Sequence, residues 1–252
     1  GTRTWTNGTV YKGDIRDGIA HGTGVKTWKS GLRYTGAFAA GEPHGKGTRT
    51  LADGGTYTGQ FRRGKMTGTG SKSWKMGDKY TGAFVDGVMH GRGTYTWKNG
   101  DVYAGGFVKG HPHGEGNKKF KSGGAYNGAF DKGVMRGKGT RTWPNGDRYK
   151  GTFAANDKHG TGQYKWKNGD VYTGQFAAGL KHGKGKLRWK NGTWYEGTWV
   201  RGTMHGKGKR RFSDGAVYVG EFREDKMNGR GTLTRKDGTK VTGKWRNNEP
   251  VH

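Results

Sequence analysis

The chain has 252 residues, 29% of them hydrophobic, with 54 glycines, no cysteine and a formal net charge of +28. Disulfides and thiolate metal sites are therefore excluded, no apolar run approaches the roughly 20 residues of a membrane helix, and no signal peptide is visible. Low hydrophobicity with high charge ordinarily means disorder, but 10 Trp, 12 Tyr and 10 Phe fall largely on fixed intervals, and rings that bury roughly 150–250 Å² each give a thin, continuous core.

Residues 1–10 read as the second half of a repeat, because Gly1-Thr2-Arg3-Thr4-Trp5 matches Gly139-Thr140-Arg141-Thr142-Trp143. The chain is thus expected to be a piece of a longer array, with a targeting signal or an attached enzyme domain outside it. Tyr-x-Gly then recurs every 23 residues without insertion or deletion, so repeats begin at residues 11, 34, 57, 80, 103, 126, 149, 172, 195, 218 and 241, the last with Val241 in place of Tyr. Such a period marks an architecture in which each unit buries its apolar face only against its neighbours. One array over residues 1–252 is expected.

With the tyrosine as position 0, Gly stands at +2 and an aromatic at +4, as in Tyr34 and Phe38, Tyr80 and Phe84, Tyr103 and Phe107, or Tyr172 and Phe176. This period of two is the mark of a half-buried strand. The second half, Gly-x-Gly followed by Thr-rich residues and an aromatic at +17 (Trp97, Trp143, Trp189), predicts another strand. Asn-Gly or Asp-Gly then closes the unit, as at Asn99-Gly100 and Asn145-Gly146, a hairpin signal. Both the +17 aromatic and the next tyrosine must face the core, which requires an odd loop with a glycine bulge. The glycines at +2, +11 and +13 leave bare backbone for rings to lie over. The expected fold is all-β: an elongated, single-sheet antiparallel β-meander of about 22 strands.

Tyr80-Thr81-Gly82-Ala83-Phe84-Val85-Asp86-Gly87-Val88-Met89-His90-Gly91-Arg92-Gly93, ending in Trp97-Lys98-Asn99-Gly100-Asp101, resembles the MORN (membrane occupation and recognition nexus) repeat. The resemblance covers essentially the whole chain. It implies a twisted sheet with a groove and a role in scaffolding, in cytoskeletal or ciliary assembly, in membrane tethering or in carrying a separate enzyme domain. Phosphoinositide binding is a further implication of it.

Candidate chemistry is sparse. Histidines at +10 (His21, His44, His90, His113, His159, His182, His205) lie two strands apart, roughly 10 Å, too far to share a zinc with ligands near 2.0–2.1 Å; they read as structural loop residues. Gly179-Leu180-Lys181-His182-Gly183-Lys184-Gly185 lacks the spacing and the Ser or Thr of a phosphate loop. No carboxylate pair recurs for acid–base work. Neither catalysis nor a cofactor is expected.

Two cation rows stand out: Lys29, Lys75, Lys98, Lys121, Lys167, Lys190 and Lys236 at +18, and Lys46, Arg92, Lys138, Lys184, Lys207 and Arg230 at +12. At roughly 10 Å per repeat they form parallel rows on a rod about 100 Å long, suited to an anionic membrane or an acidic protein surface such as tubulin tails. Nucleic acid fits less well, since the rings that would stack on bases are needed in the core. Met66, Met89, Met135, Met204 and Met227 at +9 mark the long-loop edge, either capping the core or meeting a protein partner or a second copy. The expected function is a non-catalytic scaffold for protein assembly, cytoplasmic and cytoskeleton-, cilium- or membrane-associated, with binding of anionic phospholipid or phosphoinositide headgroups through the lysine rows as the alternative.

Overall fold

The computed structural model describes residues 1–251, and among them every regular element is a β-strand. There are 23 strands in one antiparallel sheet, each pairing with its neighbours in the chain. A short strand, Thr2–Thr4, leads. Each repeat then contributes a seven-residue strand and a nine-residue strand, such as Lys79–Val85 and Val88–Thr96, until Lys240–Arg246 is followed by the short Glu249–Val251. The contacts gather into two compact units, one of residues 1–121 with 130–133, the other of 122–129 with the residues from Val134 onward.

Within each unit the core is a zigzag of rings. The ten tyrosines at position 0 are at most 1% exposed. In the first unit Phe38 meets both Tyr11 and Tyr34 edge-on, at 4.9 and 5.0 Å between centroids, and Phe61 meets Tyr34 and Tyr57 at 4.8 and 5.1 Å. The second unit repeats the arrangement with Phe153 between Tyr126 and Tyr149, and Trp199 between Tyr172 and Tyr195. Each such pair contributes about 0.5–1.5 kcal/mol beyond the area it buries.

Each tyrosine also lies flat on its own hairpin. A Cβ added to Gly139, at +13, would stand 2.5 Å from Tyr126 Oη and 2.6 Å from its Cε2. No side chain fits there. The phenol donates to the carbonyl at +3, in Tyr34–Ala37 at 2.8 Å, Tyr80–Ala83 at 3.0 Å and Tyr195–Thr198 at 2.9 Å. That carbonyl sits beside a bulge. In the third hairpin Gly59 pairs with Gly70, but Gln60 already pairs with Thr67, so Gly68 and Thr69 are two residues in excess. The excess forces a left-handed backbone at +11, where the glycines have φ of 56–94°. Phenylalanine at position 0 would bury as well, but it would leave the +3 carbonyl unsatisfied.

Several expectations need correction. The glycine at +11 serves the bulge, not the clearance of rings. The +10 histidines lie inside the nine-residue strands, as His90 does in Val88–Thr96, and not in loops. The end of the hairpin near +9 carries the shorter connection: two residues, +6 and +7, both with positive φ, as in Asp86 (48°) and Gly87 (87°). That is the type I′ geometry favoured by the right-handed strand twist. The longer loop is the Asn-Gly end. There Trp97 N–H donates to Asp101 O at 2.9 Å and Gly100 N–H to Trp97 O at 2.8 Å, enclosing three residues with Gly100 at φ 91°. The loop is therefore odd, as the parity of Trp and Tyr requires. Finally, Trp97, Trp143 and Trp189 share the ring face but are only half-buried.

Tyr80→Phe is expected to lower stability by about 1–2 kcal/mol through the orphaned Ala83 carbonyl, and Gly139→Ala by about 1–3 kcal/mol through collision with the ring. Gly192→Asn, which faces open space, is expected to cost under about 1 kcal/mol because Asn visits the left-handed region readily. Urea midpoints of the three variants check the set.

Candidate functional site

The cation rows occupy separate places. Every lysine at +18 is exposed on the turn that closes its repeat. Where the preceding repeat has aspartate at +21, that carboxylate fixes the lysine backbone: Lys98 N–H donates to Asp78 Oδ1 at 2.7 Å, Lys167 N–H to Asp147 Oδ1 at 2.9 Å and Lys190 N–H to Asp170 Oδ1 at 2.8 Å. The +12 cations are exposed on the face opposite the rings, where they line shallow troughs floored by the paired glycines at +2 and +13. Lys46 stands with Thr35, Thr48 and Gln60 around Gly47 and Gly59. Carboxylates share these troughs: Glu115 near Arg92, and Glu196 and Glu221 near Lys207 and Arg230. With Lys186 Nζ bound to Glu196 Oε2 at 2.9 Å, the trough face is mixed in sign and forms no continuous anion track.

The methionines at +9 lie on the ring face, opposite the aromatic at +4. Met66 pairs with Phe61, Met89 with Phe84, Met204 with Trp199 and Met227 with Phe222. Met135, Met204 and Met227 are buried and offer no surface to a partner. Met66 and Met89 are half-exposed.

The ring face carries a third row of cations, at +15. Position +15 pairs with the next tyrosine, as Lys26 does with Tyr34 and Lys72 with Tyr80, so it shares the face of the tyrosine and the +17 tryptophan. The ammonium of Lys72 lies 4.4 Å from the centroid of Trp74, that of Lys118 4.4 Å from Trp97, and the guanidinium of Arg141 5.1 Å from Trp143. Lys26 stands between Trp5 and Trp28 at 5.2 and 5.5 Å. Burial pulls the Lys26 and Lys72 ammoniums below the ordinary lysine value. In each unit a band of half-exposed tryptophans with cations seated on them results, and each contact contributes about 0.5–2 kcal/mol according to its exposure. The sequence holds the signal for it: Lys26, Arg49, Lys72, Lys118, Arg141 and Arg210 recur at period 23 with the parity of the tyrosines.

The +21 aspartates tie this band to the turns. Asp147, 8% exposed, accepts from Tyr164 Oη at 2.7 Å as well as from the Lys167 N–H and the Asn145 amide. Burial pushes its carboxyl up, and these hydrogen bonds together outweigh burial and hold it below the ordinary carboxylate value. Asp78 is bound in the same way by Tyr95 Oη at 2.6 Å. Asp101 instead meets Lys118 Nζ at 3.3 Å. No group of three or more potential metal ligands occurs among the described residues, and no helix there is long and apolar enough to cross a membrane.

Asp147→Ala is expected to cost about 2 kcal/mol at neutral pH, since three part-buried hydrogen bonds lose their acceptor. Because the carboxyl is held below its ordinary value of 3.8, the advantage of the unmodified chain is complete above that value. It disappears as pH falls through the depressed folded-state value. Paired urea titrations at pH 7 and at acid pH check the sign.

The family model of the MORN repeat matches ten consecutive segments, 11–33, 34–56, 57–79, 80–102, 103–125, 126–148, 149–171, 172–194, 195–217 and 218–240. No curated protein sequence matches the chain. Among solved structures, it is similar to the TCP10 domain of Danio rerio CPAP in complex with a STIL peptide, at 10% identity over 97% of this chain and 98% of that one, with a TM-score of 0.44. A second similarity is to the SAS-4 (dCPAP) TCP domain of Drosophila melanogaster in complex with a proline-rich motif of Ana2, at 13% identity over 79% and 90% of the two chains, TM-score 0.29. A third is to virginiamycin B lyase from Staphylococcus aureus, at 9% identity over 99% and 83%, TM-score 0.16. At these scores none of the three bears on what the chain does.

Proposed function

We propose that this chain, which belongs to the MORN repeat family, is a non-catalytic scaffold that assembles protein partners on its cation–tryptophan band and its turn edges. The observation that carries the reading is the band itself. Half-exposed tryptophans are unusual residues to leave in contact with water, and they are typical anchors of protein interfaces, together with arginine. Their recurrence at the same position in most repeats allows a partner to be held at several equivalent points, so that weak contacts add into avidity.

The net charge of +28 favours acidic partners, and it speeds encounter at low ionic strength. A cytoskeletal or ciliary setting, which the family resemblance implies, contains such surfaces in the acidic tails of tubulin. The lipid-headgroup alternative loses ground on the trough face, where Glu115, Glu196 and Glu221 interrupt the +12 cations. A second copy of the chain remains a partner within this proposal.

Co-sedimentation with polymerised tubulin, before and after removal of the acidic tails, tests the reading beside phosphatidylserine vesicles. Binding is expected to require the tails, and to weaken roughly fivefold, the equivalent of about 1 kcal/mol, when Trp97 and Lys118 are both replaced by alanine. Sedimentation with vesicles alone, insensitive to that pair, contradicts it. Light scattering over a concentration series decides on self-association; a monomer throughout removes the second copy.

A further inference from the structure

The second unit departs from the repeat at two adjacent places. Position +9, filled by Met in five repeats, is Lys158 and then Lys181. Both are half-buried on the ring face. The Lys158 ammonium lies 4.3 Å from the Tyr164 centroid and 5.6 Å from each of Trp143 and Phe176. That of Lys181 lies 3.7 Å from the Trp199 centroid. Two of the carboxylates acting on them are engaged elsewhere: Asp147 by Tyr164, Asn145 and the Lys167 N–H, and Asp225 Oδ1 by the Met204 N–H at 2.8 Å; the adjacent Asp157 also favours the Lys158 charge. Arg141 stands beside Lys158 and opposes its charge. Burial holds Lys181 down at about 8 despite the pull of Asp225. Two cations are thus half-buried on aromatic rings, one repeat apart.

The spacing selects the occupant. Equivalent positions in consecutive repeats are two strands apart, about 9.4–9.8 Å. A polyproline II helix advances about 3.1 Å per residue with three residues per turn, so every third side chain returns to the same side after about 9.3 Å. An extended β-strand does not match: its third residue reaches a similar distance but points to the opposite side. Proline rings stack on exposed tryptophan and tyrosine faces, and a polyproline II ligand loses little entropy on binding. Half-exposed Trp143, Trp166 and Trp189 supply one such ring per repeat on the same face, Trp143 beside Lys158.

We propose that the second unit binds a proline-rich segment in polyproline II conformation carrying an acidic residue at every third position, with successive carboxylates on Lys158 and Lys181 and the prolines against the tryptophan row. This inference rests on the scaffold reading above and adds a specific ligand chemistry and register to it.

The test is fluorescence anisotropy of the whole chain with a labelled peptide repeating Pro-Pro-Glu. A peptide of the same composition with its acids gathered at one end serves as the register control. The periodic peptide is expected to bind at least about tenfold more tightly than the control, and Lys158→Met with Lys181→Met to remove about tenfold or more of that affinity. Methionine is the residue the fold already holds at this position in Met135 and Met204, so the doubly substituted chain keeps its core. Lys167→Met with Lys190→Met, on the turn edge, is expected to change affinity by less than about twofold. Equal binding of the two peptides overturns the inference, as does a methionine pair without effect, or a pair that abolishes only sedimentation with phosphatidylserine vesicles. Tail-dependent tubulin binding that persists while the periodic peptide fails to bind leaves the scaffold reading standing and sinks this inference alone.

Discussion

A tyrosine ring lying on bare glycine backbone, its hydroxyl bonded to a carbonyl of the same hairpin, is the contact on which the rest of this structure depends. A sheet without a second layer has no opposing surface to bury its apolar side chains. Here the backbone itself provides that surface, which is why Gly116 and Gly139 at +13 have no room for a Cβ beneath Tyr103 and Tyr126. The aromatic at +4 closes the ring edges in a T-shaped contact and links one repeat to the next, as Phe84 links Tyr57 to Tyr80. Each repeat is stable only beside a neighbour, as expected of a nearest-neighbour array.

The remaining fixed positions follow from that contact. The phenol needs an acceptor, and the bulge at +11 and +12 brings the +3 carbonyl to it. The bulge needs a left-handed residue, hence glycine. The two-residue turn at +6 and +7 tolerates Asp, Ala, Arg or Lys at φ near 50°, since the paired strands on both sides over-determine it. Where +7 is not glycine it takes part in the interlock between hairpins: Asn156, Asp225 and Asn248 accept from the N–H of Met135, Met204 and Met227. Asp at +21 joins the other ends of the hairpins. Few residues are then left to recognise a partner, and those few occur at the rim of the ring layer.

Much of the fold was legible in the sequence, because the period of 23, the alternation at Tyr, Gly and Phe and the Asn-Gly turns are each dictated by local geometry. The odd loop followed from the parity of Trp97 and Tyr103 alone. The reversed lengths of the two connections were not legible. A type I′ turn ordinarily announces itself with Asn-Gly, and here Val85-Asp86-Gly87-Val88 makes it while Asn99-Gly100 belongs to a three-residue loop. The cation–tryptophan band was missed for a different reason. Lysine on a strand reads as solvated, and Lys72 or Lys118 is revealed as a ring-face residue only when the register places it opposite a tyrosine. The buried methionines were ambiguous for the same reason: +9 lies at the strand start, where sequence alone does not say which way the side chain points.

Titration of the phenols tests the tyrosine–glycine contact most directly. Burial pushes Tyr34, Tyr80, Tyr103, Tyr149 and Tyr195 up to about 12 from the ordinary 10.0. A group whose folded value is raised contributes stability that is complete below pH 10 and is lost as pH rises through the folded value near 12. Tyrosinate absorbance and far-ultraviolet circular dichroism, followed together from pH 8 to 13, are therefore expected to change in one shared transition well above pH 10, with most phenols ionising only as the sheet unfolds. Ionisation of most tyrosines near pH 10 with the sheet signal intact would contradict the account, for it would mean that the rings are open to water and that the glycines are not their floor.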